Sequence, residues 1–419
     1  MYQIKTLENG IRILTEEVPG VRSAAIGIWV GSGSRHENAS EQGAAHFIEH
    51  MFFKGTPTRS AAALAMEMDS IGGQHNAFTT KENTCYYART LDTHLPKAID
   101  LLCDMFFNSS FTEEDTALER GVILEEIRMY QDNPEDICAE RLAEAVYKNT
   151  PLAHPILGKP ATLNKMTGSW LRAYRDSHYR PERIVVALAG SFTSRDVDDL
   201  TARFSAVPAG KAQKEKAAVY IPAVTVKKKA TEQNNLTLAF PGLPYHDDRR
   251  FVLQLLSFLL GGGMSSRLFQ EVREKRGLCY TVYSYGAGHA DTGMFAIYTA
   301  LGKETERQAL DTIFQVLREF IQDGISPDEL SRAREQSKAS VLMGLESTQS
   351  RMSHLGRSAL LTGRVLTPDE IIAAYDMVTE EQVLTLAREI FDFKRMSLSA
   401  VGRVGTMEDY RELLRGAAE

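Results

Sequence analysis

Gly43-Ala44-Ala45-His46-Phe47-Ile48-Glu49-His50-Met51-Phe52-Phe53-Lys54-Gly55-Thr56 is the stretch around which this 419-residue chain is organised. On a helix, positions i, i+3 and i+4 share one face, so His46, Glu49 and His50 project together over an arc of roughly 100°. Phe47, Ile48, Met51 and Phe52 fall on the other side. Such a helix buries one half and presents a narrow stripe of metal-binding chemistry on the other. Zinc accepts neutral imidazole, and a catalytic zinc site needs three protein ligands and an open position for water. The two histidines supply two ligands, and Glu49 is placed to take a proton from the water bound there. The plain alternative is a pair of histidines satisfied within a core.

The order of the motif, H-x-x-E-H, is the reverse of the zincin H-E-x-x-H and marks the inverzincins. His46 through Thr56 resembles the active-site helix of the pitrilysin/insulysin metallopeptidases. The similarity is nearest to the branch holding the mitochondrial processing peptidase β subunit and its two-domain bacterial relatives. That resemblance implies a zinc-dependent metalloendopeptidase with one Zn2+ per chain and Glu49 as general base.

Length alone suggests two or three domains. An apolar fraction of 43% and a charged fraction of 25% are those of a soluble globular protein. A net charge of −7 argues against nucleic acid as the main partner. Met1-Tyr2-Gln3-Ile4-Lys5 shows no secretory signal, and no apolar run reaches the ~18 residues of a membrane span. Cys85, Cys103, Cys138 and Cys279 lack C-x-x-C spacing and read as free thiols in a reducing compartment, so a cytoplasmic location is expected.

Along the chain, Asn9-Gly10 predicts a type I′ hairpin between strands at 4–7 and 11–15. A strand at 24–30 leads into the metal helix, and a strand at 183–189 closes the half. The charged stretch between Pro208 and Pro222 is the linker candidate. The second half repeats the plan. Arg59 matches Arg267, Gly190 matches Gly402, and Phe111-Thr112 matches Ile325-Ser326, at offsets between 208 and 214 residues. The expectation is an α+β protein of two homologous domains, each a mostly antiparallel sheet packed by helices. Residues 1–208 form the catalytic zinc-binding domain, 209–222 the linker and 223–419 an inactive copy. The halves differ where chemistry should sit: the apolar run 251–260 has no His, Asp or Glu, and Ser340 stands where Glu126 stands in the first half.

Spacing alone does not choose the third ligand among 55 acidic residues. Thr112 with Asp115 starts a helix through Tyr130 that carries Glu119 and Glu126 two turns apart, with Val122 and Ile123 between them. That face reads either as a solvated charged surface or as carboxylates held by a cation. The resemblance decides: Glu119 to Glu126 is similar to the segment whose last glutamate ligates zinc. Glu126 is then the third ligand with His46 and His50, and Glu119 supports from outside the ligand set. Gly73 to Thr79 resembles the edge strand that receives substrate, through Asn76, Ala77 and Phe78. Asp136 and Glu140 stand where processing members meet an arginine upstream of the cleaved bond, though the acidic run equally reads as a solvated face. Ser265 to Tyr280 resembles a second signature, in which Arg273 and Tyr280 contact substrate and the developing oxyanion. Because the family encloses substrate among four such domains, a homodimer with shared active sites is implied. A ligand-free scaffold of the same fold is the competing reading.

Overall fold

The computed structural model describes residues 2–211 and 216–419. Among them, the first sheet contains β1 (Tyr2–Thr6), β2 (Arg12–Glu17), β3 (Ser23–Val30), β4 (Gln74–Thr79), β5 (Thr84–Leu91) and β6 (Ile184–Gly190), in the order β1-β2-β6-β3-β5-β4. The second contains β7 (Val224–Lys228), β8 (Asn234–Pro241), β9 (Cys279–Gly288), β10 (Gly293–Leu301) and β11 (Ser397–Gly402), in the order β7-β11-β8-β10-β9. The orders superpose once β1 is set aside. Each sheet has one parallel pair, β2 with β6 and β7 with β11, and is otherwise antiparallel. The repeat extends to side chains. Arg120 donates to the carbonyls of Leu163 (3.0 Å) and Met166 (2.6 Å), and Arg334 donates to that of Val378.

The chain forms two compact units, and neither is continuous in sequence. One comprises Met1–Ile127, His154–Lys216 and Met343–Thr367; the other Arg128–Ala153, Ala217–Leu342 and Pro368–Glu419. In the first unit the helix Thr348–Leu361 packs on β3 and β6, and in the second the helix Pro134–Val146 packs on β8 and β11. Each half of the sequence thus lends the other its sheet-covering helix, which a single cut at a linker does not describe. In the first unit this explains why β3 and β6 are apolar along nearly their whole length: helices lie on both faces.

Three local expectations are corrected. The first hairpin turns through Glu8, Asn9 and Gly10, with Gly10 N–H bonded to Leu7 O and Leu7 N–H to Ile11 O. Only Gly10 has positive φ, at 96°, so this is a three-residue turn closed by a glycine bulge, not a two-residue type I′ turn. Part of the expected linker, 212–215, lies outside the described residues, but from Ala217 on the segment is built into the second unit. Tyr220 is buried, with its hydroxyl in hydrogen-bond contact with Ala239 O at 3.0 Å and Ser397 Oγ at 2.7 Å. On the helix Glu113–Asp132, Ile123 is buried while Val122 is half exposed, so the row between Glu119 and Glu126 is apolar on one side only. All four cysteines are free and buried, and no described helix is long and apolar enough to cross a membrane.

The covering helix fits β3 without slack. A Cβ built on Gly356 would sit 2.1 Å from Trp29 Nε1, the atom that donates to Met352 Sδ at 3.5 Å. Gly→Ala within a helix ordinarily stabilises by ~0.5–1 kcal/mol. Gly356→Ala is expected to do the opposite, destabilising by ~1–3 kcal/mol through overpacking, as read from the denaturant midpoint.

Candidate metal centre

The helix Ala44–Met51 is eight residues long, and Phe47, Ile48, Met51 and the following Phe52 are fully buried beneath it. Phe52 stacks on Tyr86 at 4.5 Å and meets Phe106 and Phe111 edge-on. Each such side chain contributes on the order of 1.5–3 kcal/mol on burial, so packing fixes the rotation of the helix. His46, Glu49 and His50 therefore point the other way, as the i, i+3, i+4 spacing predicts.

The helix Glu113–Asp132 supplies the carboxylates. Its start is capped by Thr112, whose Oγ1 accepts from Asp115 N–H at 3.1 Å. Glu126 Oε2 lies 3.6 Å from both His46 Nε2 and His50 Nε2, and the ligand atoms of the three residues fall within 4.8 Å of one another. Tetrahedral zinc with bonds of about 2.0–2.2 Å separates its ligands by roughly 3.4 Å, so the cluster fits one ion of that size. Neutral imidazole and carboxylate are the donors zinc takes.

Glu119 is buried two turns earlier and pairs its Oε2 with His50 Nδ1 at 3.0 Å. Its other oxygen meets Lys54 Nζ at 2.5 Å. With Nδ1 occupied in this way, His50 presents Nε2 to Glu126, the arrangement by which a neighbouring carboxylate sets the tautomer of a ligand histidine. His46 has no such support: its Nδ1 is buried without a hydrogen-bond partner among the described residues, and its ring is oriented by packing and by His50, 4.6 Å away. Glu49 Oε2 accepts from Thr79 Oγ1 at 2.5 Å, which ties the base to the end of β4. Neither Thr79 nor Lys54 was singled out from sequence. Both lie inside stretches that were, Lys54 four residues beyond His50 and Thr79 at the end of the substrate-strand motif.

Burial separates the charge states. It holds His46 below its ordinary pKa, with the neighbouring His50 acting the same way. For His50 burial also lowers the value, but hydrogen bonds to Glu119 and Glu126 outweigh it and carry the group to about 9. Burial raises Glu49, partly offset by Thr79. Glu119 is pushed up by burial and pulled further down by His50 and Lys54, and Glu126 is lowered chiefly by His50.

Of the other expected residues, Asn76, Ala77 and Phe78 lie on β4 at the open edge of the first sheet, in the same unit as the triad. Asn76 Oδ1 accepts from Ala77 N–H at 2.8 Å, and Phe78 packs edge-on against Trp29. Asp136, Glu140, Arg273 and Tyr280 belong to the other unit. Asp136 accepts from Asn133 Nδ2 at the start of its helix. Arg273 lies on a π-helical turn, Phe269–Glu274, with its guanidinium 4.6 Å from the Phe269 ring and 5.2 Å from that of Tyr280. Tyr280 is 72% exposed.

A metal entering this cluster has to displace the proton of His50, while His46 is already neutral. Binding of zinc to metal-free protein near pH 7.5 is therefore expected to release about one proton, and affinity to fall about tenfold per pH unit below the His50 pKa. Calorimetry in buffers of different ionisation enthalpy measures the proton count, and zero would contradict the charge assignment.

Residues 12–160 match the model of the insulinase family, peptidase family M16, and residues 165–337 match that of the M16 inactive domain. An uncharacterized zinc protease of Bacillus subtilis, YmxG, is 46% identical over 93% of this chain and 96% of its own length. Similarly named proteins of Streptomyces coelicolor and Rickettsia felis are 41% and 38% identical, over 95% and 93% of this chain and 88% and 95% of their own. The crystal structure of a Pseudomonas fluorescens protein described as a peptidase M16 inactive domain superposes with a TM-score of 0.89 at 22% identity, covering 97% of this chain and 99% of that one. A Helicobacter pylori protease superposes at 0.88 and 20%, covering 96% and 99%. At such identities the two structures speak for the fold alone. Matched in order by both M16 models, and 46% identical to a relative along nearly its whole length, the chain belongs to the insulinase family of M16 peptidases.

Proposed function

We propose that this chain is a zinc-dependent metalloendopeptidase of the processing-peptidase type. It hydrolyses short or unfolded polypeptides and works as a cytoplasmic homodimer with shared active sites. The observation that carries the reading is the convergence of His46, His50 and Glu126 on one ion-sized space, with the Glu49 carboxyl on the same helix face. These three residues would hold one zinc per chain. When bound, zinc polarises the peptide carbonyl and brings the pKa of water down towards ~7.

Glu49 handles the proton. Burial raises its pKa, which makes it a stronger base than an exposed carboxylate, and Thr79 holds one oxygen in place. It takes a proton from the attacking water and delivers it to the leaving amine. Glu119 keeps His50 turned towards the ligand cluster, and Lys54 neutralises Glu119 from behind. Substrate adds to β4 as a further strand, so the chain to be cut must be extended, which restricts the enzyme to short or unfolded polypeptides. Asn76 Oδ1 is engaged by Ala77 N–H, which leaves the Nδ2 donors of its amide to bridge to substrate.

Arg273 and Tyr280 supply the donors for the developing oxyanion. π-Helical turns are frequent at functional sites, and the stacked guanidinium is held in readiness beside the exposed phenol. In the homodimer each subunit completes the other's site with this pair. Asp136 and Glu140 favour a basic residue near the scissile bond.

Glu49→Gln is expected to retain stoichiometric zinc by metal analysis while kcat/KM on a quenched peptide falls by about 10²–10⁴. Loss of the metal together with activity would instead assign Glu49 a ligand role. Glu49→Gln and Arg273→Ala chains, each inactive alone, are expected to regain part of the activity when mixed. No recovery after confirmed subunit exchange would exclude a shared site.

A further inference from the structure

The first turn of the metal helix cannot cap itself. Its N-cap residue is Gly43, at φ 94°, pressed against Gly158, at φ 73°. A Cβ on Gly43 would lie 2.9 Å from Gly158 Cα, and one on Gly158 would lie 2.4 Å from Gln42 O. The hydroxyl of Thr162 holds the same corner by donating to Gln42 O at 2.7 Å. No residue with a side chain fits at Gly43, so the Ser, Thr, Asp or Asn that usually satisfies the first N–H groups is sterically excluded.

The missing acceptor arrives from upstream. Glu37 is buried, and its two carboxyl oxygens each take one backbone donor: Oε2 from Gly43 N–H at 2.8 Å and Oε1 from Ala45 N–H at 2.9 Å. Ala44 N–H, between them, is taken by Glu41 O at 2.9 Å. Three consecutive donors at the helix start are thus accounted for. The next residue along is His46, and Glu49 and His50 follow on the second turn.

We infer that Glu37 is the positioning residue of the metal helix: its carboxyl group clamps the Gly43 and Ala45 N–H groups and so fixes the turn from which His46 projects. The consequence for catalysis rests on the zinc-peptidase reading above. His46 depends on this clamp more than His50 does, since His50 is held separately by Glu119 and His46 Nδ1 has no partner among the described residues. Burial pushes the Glu37 carboxyl up to about 8, against the pull of the two N–H groups; ionised or protonated, both of its oxygens keep a lone pair towards the helix, so both atoms facing it can accept. The amide of a glutamine offers one acceptor and aims a donor at the second N–H.

Two measurements test this. In metal-free wild-type protein, hydrogen exchange resolved over residues 43–45 is expected to show protected amides, although first-turn N–H groups are normally unpaired. Exchange at the unprotected rate overturns the clamp without any variant and without reference to metal. In Glu37→Gln, the same amides are expected to lose protection while β3 and β6 keep theirs, and zinc affinity from chelator competition is expected to weaken about tenfold. With zinc saturating, KM for peptide should hold, since β4 is untouched, and kcat should fall. Equal zinc affinity in the variant and wild type overturns the positioning role alone, whereas wild-type protein that holds no zinc overturns the functional reading beneath it.

Discussion

An eight-residue helix does not persist in water on its own hydrogen bonds, and this constraint governs the centre of the molecule. The metal-binding face exists because the opposite face, Phe47, Ile48, Met51 and Phe52, is locked into an aromatic core with Tyr86 and Phe106. The polar face inherits both its direction and its dryness from that packing. Dryness in turn sets the charge states: burial keeps His46 neutral and raises Glu49, and a paired carboxylate reverses the effect at His50. In the metal-free chain one helix thus carries two imidazoles, four residues apart, whose pKa values are pushed in opposite directions.

The second unit shows what remains when that chemistry is absent. It keeps the sheet order, the single parallel pair and the arginine that latches a helix to a downstream carbonyl. In place of the metal helix it has Arg250–Gly261, whose buried residues are almost all leucine and valine. The repeated features are those that close a core, and the features that differ are those that would hold an ion.

Much of this was legible from residue pattern. Histidine spacing placed three side chains on one face, and matched glycines and arginines exposed the duplication. Glu126 was not chosen by spacing; it came from resemblance, and its distances to both histidines accord with the choice. Other features left no local trace. Asn9-Gly10 promised a two-residue turn because the dipeptide fits several hairpins, and only the pairing of Leu7 with Ile11 distinguishes them. The stretch at 217–222 read as linker because its charged neighbours masked the apolar Val219-Tyr220-Ile221. Thr79 and Lys54 act on Glu49 and Glu119 across the fold, which no window of sequence reports. Amphipathic helices such as Pro134–Val146 and Thr348–Leu361 announce that they cover a sheet, never which one.

That ambiguity has a temporal side. The two exchanged helices begin 214 residues apart, at equivalent places in the repeat. As the polypeptide leaves the ribosome, β1 to β6 are complete by Gly190, yet the outer surface of β3 and β6 stays bare until the chain has grown past Leu361. The first half therefore waits, with apolar strands uncovered, for most of the remaining synthesis. Maturation is a late event of the finished chain, not a stepwise one, and the nascent intermediate is the species most prone to stick to its neighbours.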